Sequence, residues 1–272
     1  MACPMLEHCL NSPAQSCYEE RGQGRRMNQG IHLYQPPADS PVASSPRISY
    51  KVLIVDDHPL YRAALRGAVA AACTDSEFYE ADSIAGLFDI LEQHPRADLL
   101  LLDLNLPGAY GFSALAHLRG SHPELPIIVV SATDDARTVG QALAFGAQGF
   151  VSKAADATTI RDNVQAVLRG EIVVPAGMGA DDEPTADAGA LDVAQRLAQL
   201  TPQQFRVFGL LCSGRLNKQI AYDLQIMEAT VKAHMTAILR KLGASNRTQA
   251  ALLAARLARD PSEIRPPPEG SD

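Results

Sequence analysis

The chain has 272 residues, a formal net charge of −7 and five cysteines. This length accommodates two domains of ordinary size, so no disulfide or metal is needed to hold a fold of this size together. The cysteines are odd in number and form no C-x-x-C pair, and no apolar run approaches the roughly 18 residues of a membrane span, which argues against a disulfide framework, a zinc finger and a membrane protein. We expect a cytoplasmic protein with reduced thiols.

Residues 1–49 are rich in Pro, Ser, Gln and Arg and show neither helical nor strand periodicity. Such a segment buries too little apolar surface to offset the entropy lost on ordering, which predicts a disordered N-terminal extension. It contains Cys3, Cys9 and Cys17. Incidental exposed thiols are favoured over a redox role for them, because no electropositive neighbourhood is evident.

From Lys51 onward, short apolar runs alternate with helical segments, the runs being KVLIVD, EFYEA, DLLLLD, PIIVVSA and GFVSK. Five strands alternating with five helices over residues 50–170 predict an α/β domain with a doubly wound, five-stranded parallel sheet of the flavodoxin type. Residues 99–102 are apolar at every position, as expected for a central strand covered by helices on both faces.

Acidic residues follow two of these strands. Asp56 and Asp57 follow the first strand, and Asp103 follows the third. The carboxyl ends of parallel strands converge at the point where the winding reverses, so the three carboxylates are expected in one crevice. Their mutual repulsion calls for a cation, and all-oxygen ligands suit Mg²⁺ or Mn²⁺. Ser131 and Lys153 end the fourth and fifth strands and add a hydroxyl and an ammonium suited to a phosphoryl oxygen.

In the runs DD, DLNLPG, VVSA and GFVSK, residues 50–170 resemble the receiver domain of CheY-like response regulators. The resemblance implies that Asp103 accepts a phosphoryl group from a sensor histidine kinase. It also implies that Lys153 and Ser131 bind that group, with Ser131 taking part in the conformational switch. The implied magnesium ligands are Asp56, Asp57, Asp103 and the carbonyl of Asn105.

The signalling aromatic of this family is Phe150 here instead of tyrosine. A switch role and an ordinary core role both remain open for Phe150. The residue two after Asp103 is Asn105, which removes the general acid of aspartyl-phosphate hydrolases, and no G-x-x-x-x-G-K-[ST] loop is present. We therefore expect no enzyme beyond self-phosphorylation and self-dephosphorylation.

The second half of the chain is basic. The run from Arg196 to Arg259 holds ten Lys and Arg against two acids, a local charge of +8 that leaves −15 for the remainder. The Pro, Gly, Ala and acidic composition of residues 171–192 predicts a linker, followed by an all-helical domain at 193–260 and a disordered tail at 261–272. A basic module on an acidic protein indicates a nucleic-acid surface.

Two helices are predicted in this module, at residues 217–224 and 228–242. On the second helix one stripe is apolar, comprising Val231, Met235, Ile238 and Leu242. The opposite face carries small and basic side chains, namely Ala229, Lys232, Ala233, Thr236, Ala237 and Arg240. Such a face fits the major groove of DNA, and a merely solvated basic helix is the less favoured alternative because a solvated face would usually carry Glu as well.

The runs L-T-P, N-K-x-I-A, T-V-K-x-H and K-L-G-x-x-N-R-T make residues 196–260 similar to the LuxR/NarL type of helix-turn-helix. The resemblance implies DNA contacts by Lys218, Thr230, Lys232, Ala233, Thr236, Arg240 and Lys241. It also implies that a final helix at 248–257 forms a homodimer contact, although that helix could equally pack on its own domain.

Two departures from this family pattern are visible in the module. Met227 replaces the usual Ser or Thr helix cap and cannot accept the free N–H bonds. Glutamines at 203, 204 and 219 replace acids, which predicts weaker electrostatic locking of the module.

Together these patterns predict a response regulator of a two-component phosphorelay that binds double-stranded promoter DNA and regulates transcription, with RNA polymerase as a further partner. Two alternatives stay open at this point. One is a DNA-binding regulator that acts without phosphorylation. The other is a phosphate sink or interaction module whose DNA-binding half is vestigial.

Overall fold

The computed structural model describes residues 49–175 and 187–258. The predicted disorder of the N-terminal extension and of the C-terminal tail falls outside these ranges, apart from Ser49. Half of the predicted linker, residues 176–186, also lies outside them.

The first part of the described chain is a five-stranded sheet in which all strands are parallel. Its strands are β1 (Tyr50–Val55), β2 (Ser76–Ala81), β3 (Leu99–Asp103), β4 (Ile127–Ser131) and β5 (Gly149–Ser152). Their order is β2-β1-β3-β4-β5, which confirms the predicted doubly wound α/β fold. The central strand β3 is buried at every position, as its unbroken apolar run indicates.

Five helices cover the two faces of this sheet. They are α1 (Pro59–Ala72), α2 (Ile84–Gln93), α3 (Ser113–Ser121), α4 (Ala136–Ala144) and α5 (Ala157–Leu168). Side chains of α1 and α5 form one apolar cluster against the sheet, and those of α2, α3 and α4 belong to the cluster on the other face. Polar caps define several starts: the side chains of Ser83, Asp135 and Asp156 accept hydrogen bonds from the first turns of α2, α4 and α5.

The second part is all helical, as predicted. It contains α6 (Ala188–Leu197), α7 (Pro202–Cys212), α8 (Asn217–Asp223), α9 (Glu228–Leu242) and α10 (Arg247–Ala255). The bounds of α9 are those predicted, and Gly243 ends the helix with a φ of 66°, a conformation that glycine adopts without strain. Helix α6 begins inside the stretch predicted as linker, and the predicted domain boundaries themselves stay a prediction.

The helical module packs on the α/β domain through α2, α3 and the loop after β3. The backbone N–H of Phe112 in that loop donates to the carbonyl of Leu257, at 3.0 Å. Gly209 of α7 lies so close to Gly108 that a Cβ added to it would lie 2.3 Å from the Gly108 carbonyl oxygen. The two backbones therefore approach at a point where a larger side chain has no room.

An aromatic cluster fills the middle of this joint. The His117 ring is fully buried and stacks on Phe205 with centroids 4.5 Å apart, and Phe88 meets it edge-on at 5.3 Å. The Nδ1 atom of His117 is 3.1 Å from the Leu197 carbonyl oxygen. Because α3 contributes His117 while α2, α6 and α7 contribute its partners, the joint combines apolar packing with polar contacts, among them an ion pair between Arg206 and Asp89 at 2.5 Å.

Among the helices of the described ranges, we find none with both the length and the apolar character that crossing a membrane requires.

Candidate functional site

The predicted acidic crevice lies at the carboxyl edge of the sheet. Asp103 is the last residue of β3, Ser131 is the last residue of β4, and Asp56 directly follows β1. Lys153 directly follows β5 and reaches across the edge. Its Nζ lies 2.6 Å from Asp56 Oδ2 and 2.8 Å from Asp103 Oδ2, so the structure brings the predicted residues of three strands into direct contact.

The charges of this crevice are largely withdrawn from water. The side chains of Asp56 and Asp103 are fully buried, and that of Lys153 is 16% exposed. Burial by itself lowers the pKa of Lys153, but hydrogen bonds and Coulomb attraction from Asp103 and Asp56 outweigh it and hold that pKa above its ordinary value. The ammonium is therefore charged at neutral pH and compensates part of the negative charge.

The remaining negative charge and the set of donor atoms fit a divalent cation. One ligand atom from each of Asp56, Asp57, His58 and Asp103 lies within 4.8 Å of the others. The buried Oδ1 of Asp57 accepts no hydrogen bond, although His58 Nδ1 stands 2.6 Å from it. A carboxylate oxygen in this situation is suited to metal coordination. The acidic pocket is thus compatible with a divalent metal ion.

The side of the crevice assigned to the phosphoryl group is built from backbone and hydroxyl groups. Asn105 is exposed, and its N–H donates to Asp103 Oδ1 at 3.1 Å. The buried Ser131 Oγ accepts from the N–H of Thr133 at 3.2 Å. Phe150 is fully buried in the core, a position consistent with both roles left open by its sequence.

Two residues near this crevice were not singled out from the sequence. His58 contributes a fourth donor atom to the acidic cluster, and its position directly after the two aspartates was the available signal. Tyr61 lies on the first turn of α1 with Lys153 Nζ 5.1 Å from its ring centroid. Nothing in the one-dimensional pattern marks Tyr61, because its proximity to Lys153 depends on how α1 lies over the sheet.

The second predicted site is the outer face of α9. The apolar stripe of α9 is buried, as the periodicity predicts. On the opposite face Thr230, Lys232, Ala233, Thr236 and Arg240 are all exposed. This recognition face, defined as these five residues, combines small side chains with the two cations Lys232 and Arg240, which is the composition predicted for a helix in the major groove.

The two remaining predicted DNA contacts differ from each other. Lys218 is exposed near the start of α8. Lys241 instead donates to the Gln199 carbonyl at 2.8 Å and to Gln204 Oε1 at 2.7 Å. The Lys241 ammonium therefore ties α9 to α7 and to the turn before it, and it would have to exchange these partners to contact DNA.

The structure shows how the helices begin at the positions where the sequence departs from the family pattern. Met227 makes no side-chain cap to α9, as expected, while Glu228 lies in the first turn, where its charge favours the helix dipole. Gln204 forms a reciprocal capping box with Thr201 at the start of α7. Gln219 accepts a hydrogen bond from the N–H of Leu216 at 2.9 Å. Two of the glutamines that replace acids thus stabilise helix starts by neutral hydrogen bonds.

A phosphate-accepting receiver joined to a helix-turn-helix module defines the class of transcriptional response regulators. The family model described as response regulator receiver domain matches residues 52–165, and the model described as bacterial regulatory proteins, luxR family, matches residues 198–254. The chain belongs to the LuxR-type response regulators.

Named relatives match most of the chain. The chain is 39% identical over 209 residues to the glycerol metabolism activator of Pseudomonas putida, covering 75% of this chain and 95% of that protein. It is 31% identical to the DNA-binding transcriptional activator DevR/DosR of Mycobacterium tuberculosis, covering 81% and 99%. A solved structure of two RcsB dimers bound to two parallel DNAs covers 77% of this chain and 100% of its own, at 20% identity and a TM-score of 0.44.

Proposed function

We propose that Asp103 is the phosphoacceptor through which a sensor histidine kinase controls DNA binding by α9. The observation that carries the proposal is the buried contact among Asp103, Asp56 and Lys153 at the carboxyl edge of the sheet. A carboxylate held beside an ammonium and further acids is poised to take up a phosphoryl group whose new charge the ammonium can balance.

In the transfer step, a carboxylate oxygen of Asp103 attacks the phosphorus of a phosphohistidine on the kinase. The new O–P bond forms as the P–N bond breaks, and the departing imidazole nitrogen takes a proton from solvent. Asp103 becomes an acyl phosphate, and no oxidant or nucleotide is required on this chain. Lys153 and Ser131 then bind the phosphoryl oxygens, which draws β4 and β5 toward the modified residue.

The cation that completes this site is Mg²⁺ or Mn²⁺, held by Asp57, Asp103 and the Asn105 carbonyl with Asp56 assisting. Its chemistry would be to neutralise charge on the phosphoryl oxygens. The observation that supports this assignment is the cluster of carboxylate oxygens, in which the buried Asp57 Oδ1 has His58 Nδ1 at 2.6 Å but accepts no well-directed hydrogen bond.

The output is binding to double-stranded promoter DNA through the recognition face and Lys218, with RNA polymerase as the downstream partner in the cytoplasm. A homodimer on DNA would use α10. Leu252 of that helix is 61% exposed whereas Leu257 beyond its end is buried, so the helix region both packs on its own module and offers an apolar contact to a second copy.

A specific observation favours a second candidate, DNA binding that needs no phosphorylation. The recognition face is exposed while the receiver packs on the other side of the module, through α6, α7 and the residues after α10. In this arrangement the receiver does not cover α9.

Selection of genomic DNA fragments by the purified full-length chain separates these functions. Selection is run at one fixed salt concentration with Mg²⁺, in the presence and absence of a small-molecule phosphodonor. The proposed function predicts that particular fragments are enriched only with the phosphodonor. Equal enrichment in both arms establishes the second candidate, and no enrichment in either arm supports a phosphate sink.

A further inference from the structure

Tyr61 lies in a cleft that opens directly beside the phosphoacceptor. The cleft has a volume of about 460 Å³ and is lined in part by His58, Tyr61, Asn105 and Lys153. Asn105 and Lys153 both contact Asp103, so the cleft adjoins that carboxylate.

The hydroxyl of Tyr61 is buried and has no hydrogen-bond partner among the described residues. Native proteins rarely leave a buried phenol without an acceptor, and such an atom invites a functional explanation. Burial, and after it the negative charges of Asp56 and Asp103, raise the pKa of Tyr61 to about 12. The hydroxyl therefore keeps its proton at neutral pH and can donate a hydrogen bond to an acceptor that enters the cleft.

The position of the ring adds a second, independent observation. Lys153 Nζ lies 5.1 Å from the centroid of the Tyr61 ring and 2.8 Å from Asp103 Oδ2. These two distances place the centroid of the ring less than 8 Å from Asp103 Oδ2, on the side of the site formed by α1. The electron-rich face of the ring also attracts the ammonium and helps to fix its position.

We propose that Tyr61 is a phosphoryl-binding residue whose hydroxyl donates a hydrogen bond to a phosphoryl oxygen on Asp103, while its ring positions Lys153. This inference rests on the proposed phosphorylation of Asp103. Phosphorylation supplies the acceptor that the hydroxyl lacks, so one contact both relieves an unsatisfied donor and stabilises the modified state. A purely hydrophobic role for the ring would make phenylalanine equivalent at this position.

Tyr61→Phe in the full-length chain tests the hydroxyl alone, because the ring and its attraction for Lys153 are retained. The probe is beryllofluoride, a phosphoryl analogue, with Mg²⁺ at a fixed saturating concentration, and binding is followed by ¹⁹F NMR. Loss of a hydrogen bond to a charged acceptor predicts roughly tenfold weaker beryllofluoride binding. Without beryllofluoride, the thermal stability of the variant is unchanged or higher, since an unsatisfied buried donor has been removed.

The matched control is Tyr50→Phe, which removes a tyrosine hydroxyl at the opposite end of β1 and is expected to leave beryllofluoride affinity unchanged. An affinity of Tyr61→Phe within twofold of the wild type overturns the inference, as does an equal loss in both variants. If the wild-type chain itself takes up no beryllofluoride, the proposed phosphorylation of Asp103 fails and the inference with it. A normal wild-type titration with an unaffected Tyr61→Phe leaves the proposed function standing and rejects only the role of Tyr61.

Discussion

The acidic crevice and the recognition face of α9 differ in where their partners lie. In the crevice, Asp56, Asp103 and Lys153 are buried against one another, so the ammonium offsets part of the charge of the two carboxylates within the chain. On the recognition face, Lys232 and Arg240 are exposed, and Lys232 pairs with Glu228 one turn away, at 3.3 Å. We therefore expect residues of the first region to contribute to both folding and signalling, and those of the second to affect mainly DNA binding.

This difference predicts that removing a cation lowers the unfolding free energy much more in the crevice than on the recognition face. When the buried ammonium is removed from the crevice, two carboxylates lose the positive charge beside them. The unfolding free energy therefore falls. An exposed cation removed from α9 costs little folding free energy, because surface ion pairs on a helix contribute only about 0.3 to 0.5 kcal/mol.

The largest expected effect is that of Lys153→Met. Asp56 and Asp103 lose the ammonium at 2.6 and 2.8 Å, and we expect the unfolding free energy at pH 7 without Mg²⁺ to fall by about 3 kcal/mol. Urea unfolding followed by circular dichroism measures the change. Lys218→Met, on the exposed start of α8, is the matched control and should change stability by less than about 0.5 kcal/mol. Equal stabilities of the two variants would show that the crevice charges are solvated instead of mutually paired.

The joint between the α/β domain and the helical module contains a buried histidine, His117, whose protonation makes folding stability depend on pH. Burial lowers the pKa of His117 from 6.5 to about 4, against a smaller opposite effect of the Leu197 carbonyl, and nearby His122 lowers it further. A histidine that is neutral when folded contributes stability that is complete above pH 6.5 and is lost as pH falls toward 4. Between pH 7.5 and 4.5 this amounts to about 2.5 kcal/mol.

His117→Gln isolates this contribution, because an amide can still donate to the Leu197 carbonyl but does not titrate in this range. Its unfolding free energy at pH 7.5 falls below that of the wild type, while its loss between pH 7.5 and 4.5 is smaller. His94→Gln, a half-buried histidine that stacks on Tyr79 outside the joint, serves as control. An unchanged pH dependence in His117→Gln would mean that the ring is not enclosed between the two parts.

On the recognition face we expect a smaller free-energy effect, confined to DNA. Lys232→Ala combined with Arg240→Ala should weaken binding to a selected fragment by roughly tenfold and reduce the slope of log affinity against log salt by about 2. Folding stability should change by less than about 0.5 kcal/mol. Fluorescence anisotropy at several salt concentrations gives both quantities, with Arg161→Ala plus Arg169→Ala on exposed receiver positions as the matched double variant. A double variant that binds like the wild type would place the DNA surface elsewhere.

The same contrast explains what could be predicted from the sequence. The parallel sheet and the meeting of Asp56, Asp103 and Lys153 follow from apolar runs that end in polar residues, because parallel strands align their carboxyl ends. The bounds of α9 follow from its 3.6-residue apolar period and from Gly243 at its end. Both signals are local and strong.

Contacts that depend on how two helices or loops pack together could not be predicted from the sequence. From the sequence, Lys241 was predicted to contact DNA like the other basic residues of the module. In the structure it lies beside the turn before α7, and its ammonium donates to Gln199 and Gln204. The joint at Gly108, His117 and Gly209 left no periodic signal, because each of its members lies on a different element. Roles of individual DNA-contacting side chains stay predictions, since their partner is another molecule.

The most direct test of the account is the affinity of the full-length chain for one selected fragment, measured by anisotropy for the wild type and for Asp103→Asn, each with and without a phosphodonor in Mg²⁺. The account predicts that the phosphodonor increases the affinity of the wild type and leaves that of Asp103→Asn unchanged, because an amide cannot form the acyl phosphate. An equal increase in both proteins, or no increase in the wild type, would contradict control of DNA binding through Asp103.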